Sequence, residues 1–276
     1  MTDDAQKAFF SAFGYLFIRG AFSAGEISEI TREADDLWAE ERGGAPLGEN
    51  GQAVGSFVEK RARLTSLIED DRIYDVAERL LGPGLIWAGS EGNITVRGEH
   101  QWHPDRPGRR DRSDNEEELA YTRLKINLYL DLVTKEKGCL RVIPGSHRMP
   151  LHGEIEPDVR HQIGPTVAPF GLHGPEMPSV PLESEPGDAI LFNQSIWHAI
   201  FNGWAGRRYI ALKFAARPVT DVHLASLRYY GRDMFSPHPS WLHSKSARIR
   251  GMVADLPVLA AKEVPAFLPF REEKLK

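Results

Sequence analysis

The stretch LKINLYLDLVTKEKGCLRVIPGSH, residues 124–147, contains two short β-favouring runs, each ended by turn-forming residues. The first run is Leu124–Leu132 and the second is Leu140–Ile143. On both sides of this stretch, similar short β-favouring runs occur at residues 85–87, 93–97, 189–193 and 209–214. Many short strands divided by turns are typical of a sandwich, jelly roll or barrel, so the sequence predicts a mainly β fold.

Helical patterns flank this β region on its N-terminal side. Residues 23–41 begin with Ser23 and carry Glu26 three positions later, a capping-box pattern, and their apolar residues recur at helical spacing. Residues 71–81 show the same spacing up to Gly82. No internal repeat or Gly/Ser-rich linker divides the sequence, so we predict a single domain. Its parts are a helical segment at about residues 1–84, a β core at about 85–217 and an extension at 218–276.

The composition is that of a soluble globular protein, with 41% hydrophobic and 26% charged residues among 276. The formal net charge of -5 argues against a generally basic nucleic-acid-binding protein. The single cysteine, Cys139, excludes an intramolecular disulfide. No apolar run approaches the ~18 residues of a membrane-spanning helix, and the acidic N-terminus lacks a secretion signal. We therefore predict a cytoplasmic protein with no membrane or nucleic-acid partner.

Two histidines and one carboxylate form a pattern typical of a metal site. His103 and Asp105 make a His-x-Asp pair that is expected at a strand end, and His198 follows in a distant apolar strand. Two imidazoles and a carboxylate can hold a ferrous ion on one face and leave positions open for an oxo-acid and dioxygen. The guanidinium of Arg207 or Arg208 suits the far carboxylate of such an oxo-acid. Because neighbouring residues on a strand point to opposite faces, only one of the two arginines should reach the site.

Three blocks of the chain resemble the phytanoyl-CoA dioxygenase family of Fe(II)/2-oxoglutarate-dependent oxygenases. They are Trp102–Asp105, the Gly-x-Leu-x-x-x-Pro-Gly-Ser-His pattern of Gly138–His147, and Pro186–Asp188 running into His198 and Arg207. The segment Gly14–Arg19 also resembles the opening strand of that family. The resemblance extends from about residue 10 to about residue 217.

The resemblance implies a double-stranded β-helix, which is a jelly-roll core of the cupin type, with flanking helices. It also implies that His103, Asp105 and His198 are catalytic residues that bind Fe(II). Arg207 would anchor 2-oxoglutarate, which serves with O2 as cosubstrate. Asp105 favours hydroxylation, since halogenases of this branch replace the carboxylate with a small residue. Ile200 departs from the family, which often has serine or threonine at that position.

Polar residues alternate along two of the predicted strands. Asn93 and Thr95 share one face of the first strand, whereas Lys125, Asn127 and Tyr129 share one face of the second. Polar residues on these strands contact 2-oxoglutarate in similar proteins. The cosubstrate contacts that we predict from this resemblance, besides Arg207, are Asn93, Thr95, Asn127 and Tyr129. Ordinary alternation, with the polar groups facing solvent, is the alternative interpretation.

The predicted function is that of an Fe(II)/2-oxoglutarate-dependent dioxygenase that hydroxylates an unactivated carbon of a small molecule and releases succinate and CO2. The alternative is a cupin-like protein that binds a metal or small ligand without turnover. Nucleic-acid demethylation is disfavoured by the net charge. The arginines at 106–112 are expected to form a solvated loop balanced by Glu116–Glu118, and recognition of an anionic group on the substrate is the alternative. His100 is an alternative metal ligand, and His147 is expected to hold a turn. Substrate selection is expected to lie in the loops 106–123 and 150–181 and in the segment after residue 217.

Overall fold

The structure is a computed structural model that describes residues 3–105, 115–160, 169–230, 237 and 239–264. Its strands are β1 (Tyr15–Ile18), β2 (Gln52–Gly55), β3 (Ile86–Thr95), β4 (His100–His103), β5 (Arg123–Tyr129), β6 (Leu140–Val142), β7 (Val180–Leu182), β8 (Ala189–Asn193), β9 (His198–Ile200) and β10 (Arg207–Ala215). Its helices are α1 (Asp3–Phe13), α2 (Ala24–Glu41), α3 (Ala62–Thr65), α4 (Asp71–Leu81), α5 (Asn115–Ala120), α6 (Leu151–Arg160), α7 (Asp221–Tyr230), α8 (Pro239–Leu242), α9 (Ala247–Val253) and α10 (Leu256–Ala261).

The strands form two antiparallel sheets. The larger sheet has the order β1-β8-β5-β10-β3-β2, and the smaller sheet has the order β4-β9-β6-β7. From β3 to β10 the chain passes repeatedly from one sheet to the other, so distant parts of the sequence meet between the sheets. The predicted mainly β core with flanking helices is confirmed.

The larger sheet has one apolar face and one polar face, because side chains alternate along each strand. Ile126 and Leu128 of β5 and Ile210 and Leu212 of β10 are buried in the same core as Trp38 of α2. The residues that alternate with them face the smaller sheet, and many of these are polar. The apolar face therefore holds the helices, whereas the polar face is available for a site.

Strand β3 is continuous, although the sequence predicted two separate runs at residues 85–87 and 93–97. Glycine has a low β propensity, and Gly89 and Gly92 obscured the strand. The backbone ladder to β10 nevertheless continues along β3 with a single register shift. Close packing requires glycine at position 92, since a Cβ atom there would lie 2.3 Å from the ring of Phe57.

The N-terminal segment is mainly helical, as predicted, and it also supplies two strands to the larger sheet. At the start of α2, Ser23 Oγ accepts a hydrogen bond from the Glu26 N–H, and the Glu26 carboxylate accepts one from the Ser23 N–H. The predicted capping box is therefore confirmed. Helix α4 spans the predicted residues 71–81 and ends at Gly82. Strand β1 pairs with β8 and β2 pairs with β3, so this segment is joined to the β core by backbone hydrogen bonds.

The two segments expected to be loops contain helices, so that expectation was wrong in part. Helix α5 lies within the first segment and α6 within the second, where Gly153 and Pro157 obscured the helical pattern. Residues 106–114, with the arginine cluster, and 161–168 lie outside the described residues. In the C-terminal extension, Trp241 and Met252 pack into the core on the apolar face of the larger sheet. None of the helices in the described ranges has both the length and the apolar character needed to cross a membrane.

Candidate metal centre

Three side chains that the sequence singled out come together at one end of the smaller sheet. His103 ends β4 and His198 begins β9, and these two residues lie opposite each other in the strand register. Asp105 follows two residues after His103, and its backbone N–H donates to the Gln194 carbonyl at 2.7 Å. The ligand atoms of His103, Asp105 and His198 all lie within 4.8 Å of one another. The fold thus gathers residues from widely separated parts of the sequence around one point.

Backbone carbonyls orient both imidazoles for metal binding. His103 Nδ1 lies 2.7 Å from the Gln101 carbonyl, and His198 Nδ1 lies 2.9 Å from the Ile196 carbonyl. A carbonyl oxygen only accepts hydrogen bonds, so the proton of each neutral ring belongs on Nδ1 and the lone pair on Nε2. The two Nε2 atoms lie 3.7 Å and 3.9 Å from Asp105 Oδ1. Two neutral nitrogens and one carboxylate oxygen thus face a common centre.

Burial and charge keep each group in the state that binds a metal. Burial, with the charge of His198, lowers the pKa of His103 to about 4, and burial also lowers the pKa of His198. Burial opposes ionisation of Asp105, but the pKa of that carboxyl is held below its usual range, and the positive charge of Lys125 is the largest effect that lowers it. This set fits the two-histidine, one-carboxylate coordination of a non-haem ferrous ion.

His100 is close to this group but is not part of it. Its ring centroid lies 4.0 Å from that of His103. Across the residues that the structure describes, the set of converging donor atoms consists of His103, Asp105 and His198. His147 hydrogen-bonds through Nε2 to the Ser11 carbonyl at 3.2 Å and so ties the turn after β6 to α1. Its position agrees with the expectation that it holds a turn.

The strand register separates the two candidate arginines. Arg207 is only 2% exposed, and it donates through Nη1 to the Gly138 carbonyl and through Nε to Thr95 Oγ1 at 3.3 Å. Arg208 points to the opposite face, where it forms ion pairs of 2.7 Å with Asp35 and Asp131. Only Arg207 therefore lies between the sheets.

The predicted cosubstrate contacts lie on the same polar face of the larger sheet as Arg207, with Asn127 opposite Ala211 of β10. Thr95 lies opposite Arg207, and Asn93 and Tyr129 lie on either side of Tyr209, two residues further along β10. The buried polar atoms without a hydrogen-bond partner include Asn93 Nδ2, Asn127 Oδ1 and Tyr129 Oη. Leaving such atoms unpaired is costly, so a polar ligand or a water molecule is expected to satisfy them. A cavity of about 240 Å³ is lined among others by Asn93, Thr95, Arg207 and Tyr209.

Several charged residues of the site escaped the sequence analysis. Lys125 was placed on the right face, but its ion pair with Asp105, at 3.0 Å, was not predicted. Lys213 and Glu91 form another ion pair on the same face. The signal was present on β10, where Arg207, Tyr209 and Lys213 follow at intervals of two and four residues and so share a face.

The sequence of residues 10–201 matches the family model of phytanoyl-CoA dioxygenase (PhyH). The chain belongs to this family. The PhyH resemblance inferred from the three sequence blocks is therefore confirmed, and with it membership of the Fe(II)/2-oxoglutarate-dependent oxygenases. The donor set described above fits the cofactors of this family, iron(II) and 2-oxoglutarate.

Solved structures of other proteins have a similar fold. HygX from Streptomyces hygroscopicus, with nickel and 2-oxoglutarate bound, is similar with a TM-score of 0.63 at 19% identity, covering 78% of this chain and 87% of HygX. EctD from S. alaskensis, with bound Fe, gives 0.55 at 22% identity, covering 77% and 76%. The α-ketoglutarate-dependent epimerase SnoN from nogalamycin biosynthesis gives 0.57 at 21% identity, covering 78% and 82%. The predicted double-stranded β-helix is confirmed.

A curated relative shares a shorter stretch with this PhyH-family chain. It is the dioxygenase lolE1 of Epichloe uncinata, which is 34% identical over 77 residues. That match covers 28% of this chain and spans about a quarter, 26%, of lolE1.

Proposed function

We propose that this protein is an Fe(II)/2-oxoglutarate-dependent dioxygenase that hydroxylates an unactivated carbon of a small molecule and releases succinate and CO2. The main support is that one interior space holds both a three-donor metal set and a buried arginine with no carboxylate partner among the described residues. A protein that binds a metal alone has no use for that arginine. An oxygenase needs it to hold the end of 2-oxoglutarate that lies away from the metal.

Each residue of the proposed site has a distinct role. His103 Nε2, His198 Nε2 and Asp105 Oδ1 would hold the metal. Iron(II), when bound with 2-oxoglutarate and O2, supplies the oxidising chemistry that no side chain can supply. Arg207 would bind the far carboxylate of 2-oxoglutarate through its guanidinium, which is positioned by Thr95.

The neighbouring polar groups complete the proposed cosubstrate site. Asn93, Asn127 and Tyr129 offer two donors and an acceptor that are otherwise unpaired, and 2-oxoglutarate has polar oxygens to match the donors. The low exposure of these residues keeps bulk water away from the reacting centre. The chain's own contribution is therefore to bind, orient and shield the reactants.

Hydroxylation is the reaction that we propose among those that this fold supports. SnoN, an epimerase, has a similar fold, so the fold by itself does not choose the reaction. Asp105 occupies the position where halogenases of this branch have a small residue, which supports an oxygen-transferring reaction over halogenation. Product mass separates the outcomes, because hydroxylation adds one oxygen atom, epimerisation leaves the mass unchanged and desaturation removes two hydrogens.

The substrate is a small molecule, in keeping with the family, and we propose that it is not a nucleic acid. An anionic group on the substrate stays a proposal, since Arg106, Arg109, Arg110 and Arg112 lie outside the described residues. The cytoplasmic location and the single-domain organisation also stay proposals.

The proposed function is tested by adding Fe(II) and 2-oxoglutarate without oxygen and recording the weak visible charge-transfer band, followed by a screen for substrate-dependent succinate release in air. We expect the band and the succinate in the wild-type protein, and neither in His103→Ala. The exposed residue His243 provides a matched control, and His243→Ala should behave as the wild type. A folded wild-type protein with no band and no succinate would support the binding protein instead, and full turnover in His103→Ala would refute the assignment.

A further inference from the structure

The two oxygens of the Asp105 carboxylate have different partners. Oδ1 faces His103 Nε2 and His198 Nε2, whereas Oδ2 lies 3.0 Å from Lys125 Nζ. Both members of the ion pair are largely buried, with side-chain exposures of 13% for Lys125 and 15% for Asp105. One oxygen of the carboxylate thus pairs with a lysine of the larger sheet, and the other oxygen faces the two histidines of the smaller sheet.

The neighbouring charges account for this pairing. Lys125 of β5 lies directly opposite Lys213 of β10 in the strand register, and like charges placed opposite each other destabilise a sheet. Each lysine is neutralised by its own carboxylate, since Lys213 pairs with Glu91 and Lys125 with Asp105. Asp105 is the carboxylate with which Lys125 forms a salt bridge within the described ranges. Because Lys125 extends from the central part of the larger sheet, it approaches Oδ2 from a fixed direction.

We propose that Lys125 is a positioning residue that holds Asp105 as a one-oxygen metal ligand. This inference rests on the proposed metal site. A carboxylate with both oxygens free can bind a cation through one oxygen or through both. With Oδ2 held by Lys125, only Oδ1 is available to the metal, and the coordination positions needed by 2-oxoglutarate and O2 stay open. The ion pair also fixes the orientation of the carboxylate before a metal arrives.

A purely structural ion pair would have different consequences. If Lys125 only satisfied the buried charge of Asp105, its loss would lower stability but leave the coordination of a bound metal unchanged. A positioning residue is expected to change both the affinity for the metal and the geometry around it, since partners of metal ligands typically contribute about 10- to 100-fold in metal affinity. Metal spectroscopy therefore separates the two roles.

The test uses Co(II) as a spectroscopic probe in the full-length protein without 2-oxoglutarate. We compare the wild type with Lys125→Met, which removes the charge and the donor at similar length, and with Lys125→Arg, which keeps both. The matched control is the double variant Asp131→Asn/Arg208→Gln, which removes an ion pair on the opposite face of the same sheet without altering net charge. The measurements are the Co(II) dissociation constant, the visible d–d absorption spectrum and the thermal midpoint.

We expect Lys125→Met to bind Co(II) about 10- to 100-fold more weakly and with an altered d–d spectrum. Lys125→Arg should restore the spectrum, and the control variant should match the wild type. Unchanged affinity and spectrum in Lys125→Met, with only a lower thermal midpoint, would overturn the inference while leaving the metal site intact. If Lys125→Met does not fold, Lys125→Gln provides the neutral variant. Failure of the wild type itself to bind Co(II) would instead refute the proposed function.

Discussion

Replacing Arg207 with leucine should weaken 2-oxoglutarate binding far more than the same change at Arg208. The Arg207 guanidinium is buried between the sheets, so a carboxylate bound to it would be shielded from water. Removing one partner of a buried, hydrogen-bonded charge pair costs about 2–5 kcal/mol, which corresponds to a roughly 30- to several-thousand-fold rise in the dissociation constant. Arg207→Lys should give an intermediate loss, because lysine keeps the charge but lacks the planar fork.

Arg208→Leu provides the matched control, since it removes the same side chain from the next residue of β10. This arginine makes its ion pairs with Asp35 and Asp131 on the other face of the sheet, and its side chain is 26% exposed. We expect unchanged 2-oxoglutarate affinity and a loss of stability of about 1 kcal/mol, as for a partly exposed ion pair. The loss is expected to be modest because solvent screens the pair.

The assay is a titration of 2-oxoglutarate into the Fe(II)-loaded protein without oxygen, followed through the visible charge-transfer band. Thermal midpoints of all three variants show whether the folded state is retained. Weaker binding in Arg208→Leu with normal binding in Arg207→Leu would contradict the observed register of β10. Normal binding in both variants would show that the far carboxylate is held elsewhere.

Three further predictions concern stability. Burial lowers the pKa of His147 to about 4 in the folded protein, whereas in the unfolded chain the imidazole is protonated below about pH 6.5. Protonation therefore favours the unfolded chain as the pH falls. The free energy of unfolding should decrease by about 2 kcal/mol between pH 7.5 and pH 5. Denaturant titrations of His147→Gln should lack this component, and an unchanged pH dependence would be evidence against it. Gly92→Ala should lower the free energy of unfolding by about 1–3 kcal/mol, because its Cβ would meet the Phe57 ring. Gly55→Ala is the control and should not destabilise the protein, because the space around Gly55 is open. Equal thermal midpoints for the two variants would contradict the packing at Gly92. Fe(II) at 100 times its dissociation constant should stabilise the wild type by about 2.7 kcal/mol, and His103→Ala should show no such gain in a thermal melt without oxygen.

The metal ligands could be predicted from the sequence because their signals are local or belong to the family. His103 and Asp105 are two residues apart, and the Gly138–His147 block marks the family. The sequence placed His103 at a strand end and His198 in an apolar strand, but it did not give the bounds of β4 and β9, since three or four residues show no clear alternation. Their pairing, which brings His103 opposite His198, is a tertiary contact.

The ion pairs of the site could not be predicted from sequence patterns, for a related reason. The alternation of Lys125, Asn127 and Tyr129 gives the face on which a residue lies, but not its partner on the other sheet. Lys125 and Asp105 are 20 residues apart. Their contact depends on how β5 of the larger sheet packs against the segment that follows β4 of the smaller sheet. Arg207 and Arg208 raised the same difficulty, because alternation shows that they differ in direction and only the register shows which one faces inward.

The charge environment of Arg207 is the strongest argument that the interior space binds a ligand. A buried charge is costly unless it is paired, and Lys125 and Lys213 on this face each have a carboxylate partner. Arg207 has hydrogen bonds to Gly138 and Thr95 but no carboxylate within salt-bridge distance in the described part of the chain. An arginine with a purely structural role would be expected to have a carboxylate partner, as Arg208 does. We therefore propose that an anion supplied from outside the chain balances the charge of Arg207, and the dicarboxylate 2-oxoglutarate has the carboxylate to match it.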